Sequence, residues 1–317
     1  ENDFDNIYPW SDIITYNYDD VTKEETAKYG DDNFKFDGSN GQVLTRIPEF
    51  YYKREQVDGV EYQYISKYPQ EGYEKSEAFS IGRYTMSGNS TKVYSRSGYA
   101  PLVNVTITNY RNYARKLGDD FGQLDWRYFI LQLLYLIEYA DYNSQEILGQ
   151  GNTANTAAVS SGGCDTLGMK SGTLNNDGKH SMIYRGIEDI FGNIWQFIDG
   201  INVNNHQTYI NYNPNTYQVD TFNGDYQALG YANALTDGYI NKIGFDLENS
   251  LISFPIEATA TDVGSIKSYY YHNFSKRIVL VGGRYDHQHR AGMLEMDINC
   301  SSTHLAGTVT ARLLRYA

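Results

Sequence analysis

The stretch DIFGNIWQFIDG, residues 189–200, decides the fold of this chain. Trp195 and Phe197 are typical of side chains that pack in a hydrophobic core. Gly192 and Asn193 ahead of them predict a turn, because both residue types tolerate an unusual backbone conformation. The stretch also carries three side chains with oxygen donors: Asp189, Asn193 and Asp199. Their spacing matches no calcium loop, so we interpret the stretch as packing and predict no metal site in it.

Composition places the 317-residue chain among folded globular proteins. It is 41% hydrophobic and 21% charged, and its length suits one large domain or two ordinary ones. Its 31 tyrosines favour a binding surface, because tyrosine combines a large contact area with a hydrogen-bonding group. The net charge of −13 disfavours contact with phosphate backbones and anionic membranes. Neither a nucleic-acid partner nor membrane insertion is therefore expected.

Cysteine content and hydropathy narrow the class further. The two cysteines, Cys164 and Cys300, cannot build a disulfide scaffold or a four-cysteine zinc site, although they could pair with each other. No apolar run of about 18 residues could span a bilayer. The first ten residues, ENDFDNIYPW, lack the basic and apolar regions of a signal peptide. A soluble protein is expected.

The first part of the chain carries turn and strand signals. Residues 1–45 are acidic and rich in Asp, Asn and Gly, and we interpret them as an N-terminal arm. The turn signal VDG, residues 57–59, separates two runs of aromatic and β-branched residues, which predicts a hairpin. The run AFSIGRYTM, residues 78–86, predicts a further strand.

Two helices are predicted in the middle of the chain. The first has Thr108 as its cap and stops at Gly118. The second has Asp125 as its cap and extends over residues 125–142, where an almost continuously apolar run predicts burial. Glu138 is expected at a solvated end of that helix. Short apolar runs split by Gly, Asn and Asp follow, and together these patterns predict an α+β fold.

Five segments resemble, in the same order, the formylglycine-generating-enzyme branch of the C-type lectin fold. They are PLVNV (101–105), LDWRYFILQLLYLIEYA (124–140), GNIWQF (192–197), VGGRY (281–285) and TAR (310–312). The resemblance implies an α+β C-type-lectin-like domain over residues 46–317. Such a domain has two main helices, short antiparallel strands and long loops.

The C-terminal segment, residues 281–317, resembles the variable proteins of diversity-generating retroelements and related tail-tip proteins of phages and prophages. Residues typical of the constant positions in those proteins are Gly282, Gly283, Ala291, Gly292, Ser301, Ser302, Ala311, Arg312 and Leu313. The resemblance implies that the residues between them form a variable, ligand-binding surface. These are Arg284, Tyr285, Asp286, His287, Gln288, His289, Arg290, Glu295, Cys300, Thr303, His304 and Thr308.

The function that this resemblance implies is non-catalytic binding, as a receptor-binding protein or adhesin. Tyr285, His287, His289 and Arg290 are the expected central contacts, because aromatic and Arg side chains dominate such interfaces. The implied partner is a protein or glycan of the host cell surface, and the implied location is the virion tail or the cell exterior. A homotrimer is the assembly common among tail-tip proteins. No cofactor is expected.

Alternative functions stay open. The resemblance would imply an oxidase of the formylglycine-generating type, which binds copper through a pair of nearby cysteine thiolates. Cys300, however, has no second cysteine close to it in sequence. A metal-dependent enzyme could use zinc or copper ligands of the imidazole and carboxylate type, and the candidates are Asp286, His287, His289 and His304. A purely structural tail component is the third alternative. Phosphate contact through Arg284 and Arg290 is disfavoured by the acidic residues around them.

The run of Tyr269, Tyr270 and Tyr271 could flank the binding surface. If the run is a strand, its side chains alternate between two faces, so Tyr269 and Tyr271 share one face and Tyr270 occupies the other.

Overall fold

The computed structural model describes residues 2–316. Residue 1, in the predicted arm, and residue 317, in the predicted C-terminal segment, lie outside the described residues. The described residues form an α+β fold in which strands predominate. The strands, in chain order, are β1 (Ile14–Asp19), β2 (Glu24–Lys28), β3 (Gln42–Ile47), β4 (Phe50–Val57), β5 (Val60–Ser66), β6 (Glu74–Ser76), β7 (Phe79–Thr85), β8 (Ser87–Gly88), β9 (Val93–Tyr94), β10 (Phe121–Gln123), β11 (Gly172–Thr173), β12 (Met182–Tyr184), β13 (Ile187–Glu188), β14 (Trp195–Asn204), β15 (Gln207–Ile210), β16 (Gln227–Ala232), β17 (Gly238–Ile243), β18 (Pro255–Thr259), β19 (Tyr269–Tyr271), β20 (Arg277–Val281), β21 (Met296–Asp297), β22 (Val309–Thr310) and β23 (Arg312–Tyr316). The α-helices are α1 (Ile107–Arg115), α2 (Tyr128–Tyr139) and α3 (Ser144–Leu148).

A six-stranded antiparallel sheet joins the two ends of the chain, in the order β10-β23-β7-β3-β1-β2. The prediction of a separate acidic arm over residues 1–45 is wrong, because β1 and β2 belong to this sheet and residue 45 lies inside β3. Many acidic residues and glycines of this segment, such as Gly30, Asp31 and Gly38, lie in the turns and bends between these strands. The strands themselves bury apolar side chains such as Tyr16 and Leu44, which removes them from water and holds the segment in the sheet.

A larger, nine-stranded sheet is centred on β14 and has the order β16-β15-β14-β20-β21-β19-β17-β18, with β22 pairing parallel to β14. The core prediction for its first strand is confirmed, since Trp195 is 4% and Phe197 0% exposed. The predicted turn ahead of it is also confirmed. Gly192 and Asn193 have φ angles of 71° and 57°, a left-handed conformation that glycine and asparagine tolerate best.

Both predicted helices form, with different starting residues. The cap of α1 is Thr106 and not Thr108, and its side chain accepts a hydrogen bond from the Asn109 amide at 3.4 Å. Helix α2 begins at Tyr128, three residues later than predicted. The predicted cap, Asp125, instead accepts a hydrogen bond from the amide of Arg127, the residue that precedes the helix, at 3.0 Å.

The predicted burial of α2 is confirmed, since most of its residues lie in the core. The expectation for Glu138 is wrong, because its side chain is buried and forms an ion pair with Arg185 at 2.6 Å. The partner lies 47 residues further along the chain, so no pattern within the helix could indicate it. Among the described residues, no helix is long and apolar enough to cross a membrane.

The hairpin and strand predictions in the first part of the chain are confirmed. Strands β4 and β5 pair antiparallel around Asp58 and Gly59, whose φ angles of 52° and 79° fit a tight two-residue hairpin turn. Strand β7 occupies residues 79–85, within the predicted run.

Candidate recognition site

The loop between β20 and β21, residues 282–295, carries most of the candidate side chains and is here called the β20–β21 loop. It opens on Gly282 and Gly283, whose φ angles of 87° and 76° turn the chain sharply away from β20. The Gly192 amide donates a hydrogen bond to the Gly282 carbonyl at 2.7 Å, and the Gly282 amide donates to the Glu295 carbonyl at 3.0 Å. The loop is therefore fixed at its base by the turn that precedes β14.

Further main-chain hydrogen bonds fix the loop along its length. The Tyr285 amide donates to the Asn193 carbonyl at 3.1 Å, and the Tyr285 carbonyl accepts from the Asn155 amide at 2.7 Å. The Gln288 amide donates to the Thr153 carbonyl at 2.7 Å. All of these bonds use main-chain atoms of the loop, so they do not depend on which side chains the loop carries.

One side chain from outside the loop completes this set of bonds. Gln145, in α3, donates from Nε2 to the carbonyls of Gln288 at 2.6 Å and Ala291 at 2.7 Å. We call these main-chain and Gln145 hydrogen bonds the backbone anchors of the loop. They satisfy carbonyl groups that would otherwise need partners in a loop without regular structure.

The polar side chains of the loop face solvent to different degrees. Exposed side chains belong to Asp286, Gln288, His289 and Arg290, and half-buried ones to Arg284, Tyr285 and His287. Arg284 and Asp286 form a surface ion pair with an Nε–Oδ1 distance of 2.7 Å. Seven consecutive residues thus present side chains at least partly to water.

An aromatic cluster, consisting of Trp195, Tyr239, Tyr269 and Tyr271, lies against these side chains. The His287 ring lies edge-on to Trp195, with centroids 5.2 Å apart. The His289 ring stacks on Tyr239 at 5.7 Å with planes 13° apart, and the Arg290 guanidinium lies over the Tyr269 ring at 5.0 Å. Cation–π and stacking contacts of this kind restrain exposed side chains without burying them.

The predicted alternation in β19 is confirmed. Tyr270 is fully buried, whereas Tyr269 and Tyr271 are half-buried on the opposite face. Their ring centroids lie 4.7 Å apart. Both rings therefore belong to the surface formed with the β20–β21 loop.

Glu295 does not lie on the surface, contrary to the prediction that it contacts ligand. Its side chain is 0% exposed, and its Oε1 shares a hydrogen bond of 2.6 Å with His287 Nδ1. Its Oε2 has no hydrogen-bond partner among residues 2–316. Burial raises the pKa of the carboxyl group, and the bond to His287 opposes that shift. Glu295 can position His287 but cannot touch a ligand itself.

The remaining candidates lie on the segment between β21 and β22. Cys300 is half-buried against a core cluster, and burial raises the pKa of its thiol to about 12, which leaves little reactive thiolate at neutral pH. Thr303 is exposed and His304 half-buried, and their hydrogen bonds stay within this segment, with Ser301. Thr308 approaches the aromatic cluster, since its carbonyl accepts from the Trp195 amide at 3.2 Å.

The histidines considered as metal ligands have separate surroundings. His287 is bonded to Glu295, His289 is stacked on Tyr239, and burial lowers the pKa of His304. Within residues 2–316, no group of three or more His, Cys, Asp and Glu side chains is placed to hold a metal ion.

Three residues of the site could not be identified from sequence. Trp195 was interpreted only as core packing, and Tyr239 and Gln145 carried no local signal. Tyr239 and Gln145 lie 50 and 144 positions ahead of His289, counting from the sequence numbers. The abundance of tyrosine and the run of Tyr269, Tyr270 and Tyr271 indicated that aromatic side chains would contribute to a surface, without pointing to these three residues.

No protein-family model matches the chain, and no curated protein matches it. Among solved structures, the chain is similar to one described as the structure of PvdO from Pseudomonas aeruginosa, at 11% identity. The alignment covers 90% of this chain and 97% of that chain, with a TM-score of 0.33.

Proposed function

We propose that the protein is a non-catalytic binding protein whose contact surface is the β20–β21 loop together with Tyr269 and Tyr271, the two half-buried rings of the aromatic cluster. The observation that carries the proposal is that the main chain and the side chains of this loop have different roles. Main-chain atoms of the loop take part in all of its backbone anchors, while its side chains from Arg284 to Arg290, except that of His287, which is bonded to the buried Glu295, reach solvent. A fixed backbone with exchangeable side chains suits recognition, because little conformational entropy is lost when a ligand binds.

The side-chain chemistry supports the same proposal. His289 and Arg290 rest on tyrosine rings and remain exposed. Tyr and Arg are enriched among the residues that contribute most to protein interfaces. We do not assign Glu295 to the contact surface, and we assign Cys300 to packing.

The finer identity is proposed on the sequence resemblance. We propose a C-type-lectin-like domain of the formylglycine-generating-enzyme type, diversified by a retroelement and carried on the tail tip of a phage or prophage. Its partner would be a protein or glycan on the host cell surface, and its assembly a homotrimer. Strand β23 pairs into the same sheet as β1, and this supports the proposed fold. The C-terminal part of the chain, which carries the surface, is thereby held in place by a paired strand.

Binding to intact bacterial cells tests the proposed function. The labelled full chain is incubated with a panel of bacterial strains, and cell-bound label is measured by flow cytometry for the wild type and for the variant His289→Ala/Arg290→Ala. We expect strain-dependent binding that the double variant loses at an unchanged melting temperature.

The matched control is Tyr62→Ala, which removes a tyrosine that is 43% exposed on β5, in a different sheet. Binding that both variants retain would contradict the proposal, since the contact surface would then lie elsewhere.

A further inference from the structure

An open pocket of about 360 Å³ adjoins the β20–β21 loop, and His289 forms part of its wall. Residues of α3 and next to it, including Glu146 and Gln150, also line the pocket, together with Asn176. Pockets that hold small molecules have volumes of about 300–1,000 Å³. The pocket therefore has room for a small ligand group, directly beside the surface proposed above.

Some of the polar side chains that line this pocket have no hydrogen-bond partner among the described residues. Among residues 2–316, the side-chain amide of Gln150 and the ring nitrogens of His289 form no hydrogen bond. The side chain of Asn176 uses only its Oδ1, which accepts from the main-chain N–H of Gln150 at 2.7 Å. Glu146 uses only Oε2, which accepts from Asn143 at 3.1 Å. The pocket thus offers both hydrogen-bond donors and hydrogen-bond acceptors to a ligand. A hydroxyl group can serve both, since it donates one hydrogen bond and accepts others.

Charge argues against an ionic ligand. The one lysine of the pocket, Lys267, donates to the Asp262 carbonyl at 2.7 Å and lies 3.4 Å from its carboxylate. Among the described residues that line the pocket, this pairing leaves no lysine or arginine without an acidic partner, and the chain as a whole has a net charge of −13. A single unpaired carboxylate, Glu146, is a weak site for a cation in water. A neutral ligand rich in hydroxyl groups fits these groups best.

An aromatic face completes the pocket. The His289 ring lies nearly parallel to the Tyr239 ring beneath it, so its orientation is held while it stays exposed. Rings offer a flat apolar surface on which the C–H face of a sugar can pack. A sugar presents both an apolar face and a rim of hydroxyl groups, which matches the ring and the amides of this pocket.

We infer that this pocket binds one sugar unit of a neutral glycan and that Gln150 and His289 are its contact residues. The inference rests on the proposed binding function and narrows its partner to carbohydrate. The exposed loop side chains next to His289 would then contact whatever extends from that sugar.

The experiment uses the full chain and an array of neutral glycans that end in glucose, galactose, mannose or N-acetylglucosamine. The variants are Gln150→Ala and His289→Ala, and the matched control is Gln56→Ala, which truncates an exposed glutamine on β4. We expect the wild type and the control to bind the same neutral glycans. We expect each pocket variant to weaken that binding about 5- to 10-fold, as the loss of one or two hydrogen bonds or of a stacking contact would, at an unchanged melting temperature.

Treated bacterial cells separate the failure of this inference from the failure of the proposed function. Periodate oxidises the vicinal diols of glycans, so binding to cells should be lost after periodate and survive protease. Binding that is lost after protease and survives periodate would overturn the carbohydrate inference and leave the proposed function intact. Absence of binding to both glycans and cells would overturn both. If both variants retain full glycan binding, the sugar binds outside this pocket and the inference is overturned.

Discussion

His287 is the residue of the β20–β21 loop that belongs both to its surface and to its support. Its ring is wedged against Trp195 and Tyr271 and bonded to the buried Glu295. A buried carboxylate is costly unless a partner compensates it. His289 and Arg290, in contrast, rest on tyrosine rings from outside. Neighbouring residues of one polar run therefore have different roles, which the sequence alone does not separate.

Removal of the His287 side chain should destabilise the fold. We expect His287→Ala to lower the free energy of unfolding by about 2–4 kcal/mol, because Glu295 loses its side-chain partner in a buried position. His289→Ala, the matched control on the surface, should change it by about 0.5 kcal/mol or less. Both are measured by denaturant unfolding.

A second substitution, at Glu295, should restore part of the stability that His287→Ala loses. In the double variant His287→Ala/Glu295→Gln, residue 295 no longer carries a buried charge without a partner, so part of the lost stability should return. Equal stability of His287→Ala and the wild type would contradict the proposed support role.

Asp297 should make stability depend on pH. Burial raises the pKa of its carboxyl group to about 6, and the nearby Glu295 carboxylate adds to that shift, whereas the Asn299 amide and His287 oppose it. The fold thus favours the protonated form, so this contribution is present below about pH 4 and is lost as the pH rises towards 6. We expect the melting temperature of Asp297→Asn, relative to the wild type, to increase from pH 4 to pH 6. A constant difference over that range would show that Asp297 titrates normally.

At the scale of elements, the turn between β20 and its loop depends on two glycines. Gly283 has a positive φ angle, and a Cβ added there would lie 1.7 Å from Glu295 Oε2. Gly282 also has a positive φ angle, and its added Cβ would lie 3.0 Å from the Ile190 carbonyl oxygen. The turn thus brings the loop close to the buried carboxylate and to the turn ahead of β14. A side chain at either position would displace the loop from its backbone anchors.

Gly283→Ala should therefore be costly. We expect it to lower the free energy of unfolding by about 3 kcal/mol or more, which combines left-handed backbone strain with overpacking. Gly224→Ala is the matched control, because Gly224 has a φ angle of 67° and no atom lies within 4 Å of the position that an added Cβ would take. It should cost about 1–2 kcal/mol, the strain alone. Similar losses in the two variants, measured by thermal unfolding, would mean that the contact with Glu295 is unimportant.

Elements whose cause is local could be predicted from sequence. The hairpin at Asp58 and Gly59, the apolar helix α2 and the turn at Gly192 and Asn193 each follow from adjacent residues. The burial of Glu138 and Glu295 could not be predicted: the partner of Glu138, Arg185, lies 47 residues later, and Glu295 is placed against His287 and Gly283 by the way the β20–β21 loop folds. The arm over residues 1–45 was mistaken for the same reason. Its composition reflects the turns, whereas its place in the fold depends on pairing with a strand over thirty residues later, β7.

At the scale of the whole molecule, Arg312 links the two large sheets. It is fully buried in β23 and donates to the carbonyls of Gly82 and Arg83 on one side. On the other side it donates to the carbonyl of Glu188 and to the side chain of Gln196 in β14. One side chain thereby satisfies acceptors on both sheets. The surface on the nine-stranded sheet consequently depends on the six-stranded sheet for its support.

Replacement of this arginine should weaken the whole fold. We expect Arg312→Met to lower the free energy of unfolding by about 3–5 kcal/mol, because several buried carbonyls lose their donor. Arg315→Met is the control, since Arg315 is half-buried with one ion pair to Asp120, and it should cost about 1 kcal/mol or less. Chemical denaturation measures both, and equal losses would contradict the linking role of Arg312.

Tolerance to substitution tests the central claim, that backbone anchors hold the β20–β21 loop and leave its outward side chains exchangeable. A library that randomises residues 284, 286, 288, 289 and 290 together is displayed on cells, and the fraction of members that resist protease is measured beside a matched library at residues 291–295. We expect most members of the first library to remain folded and few of the second. If the first library unfolds as often as the second, the side chains themselves hold the loop, and the account of a recognition surface on a fixed backbone is contradicted.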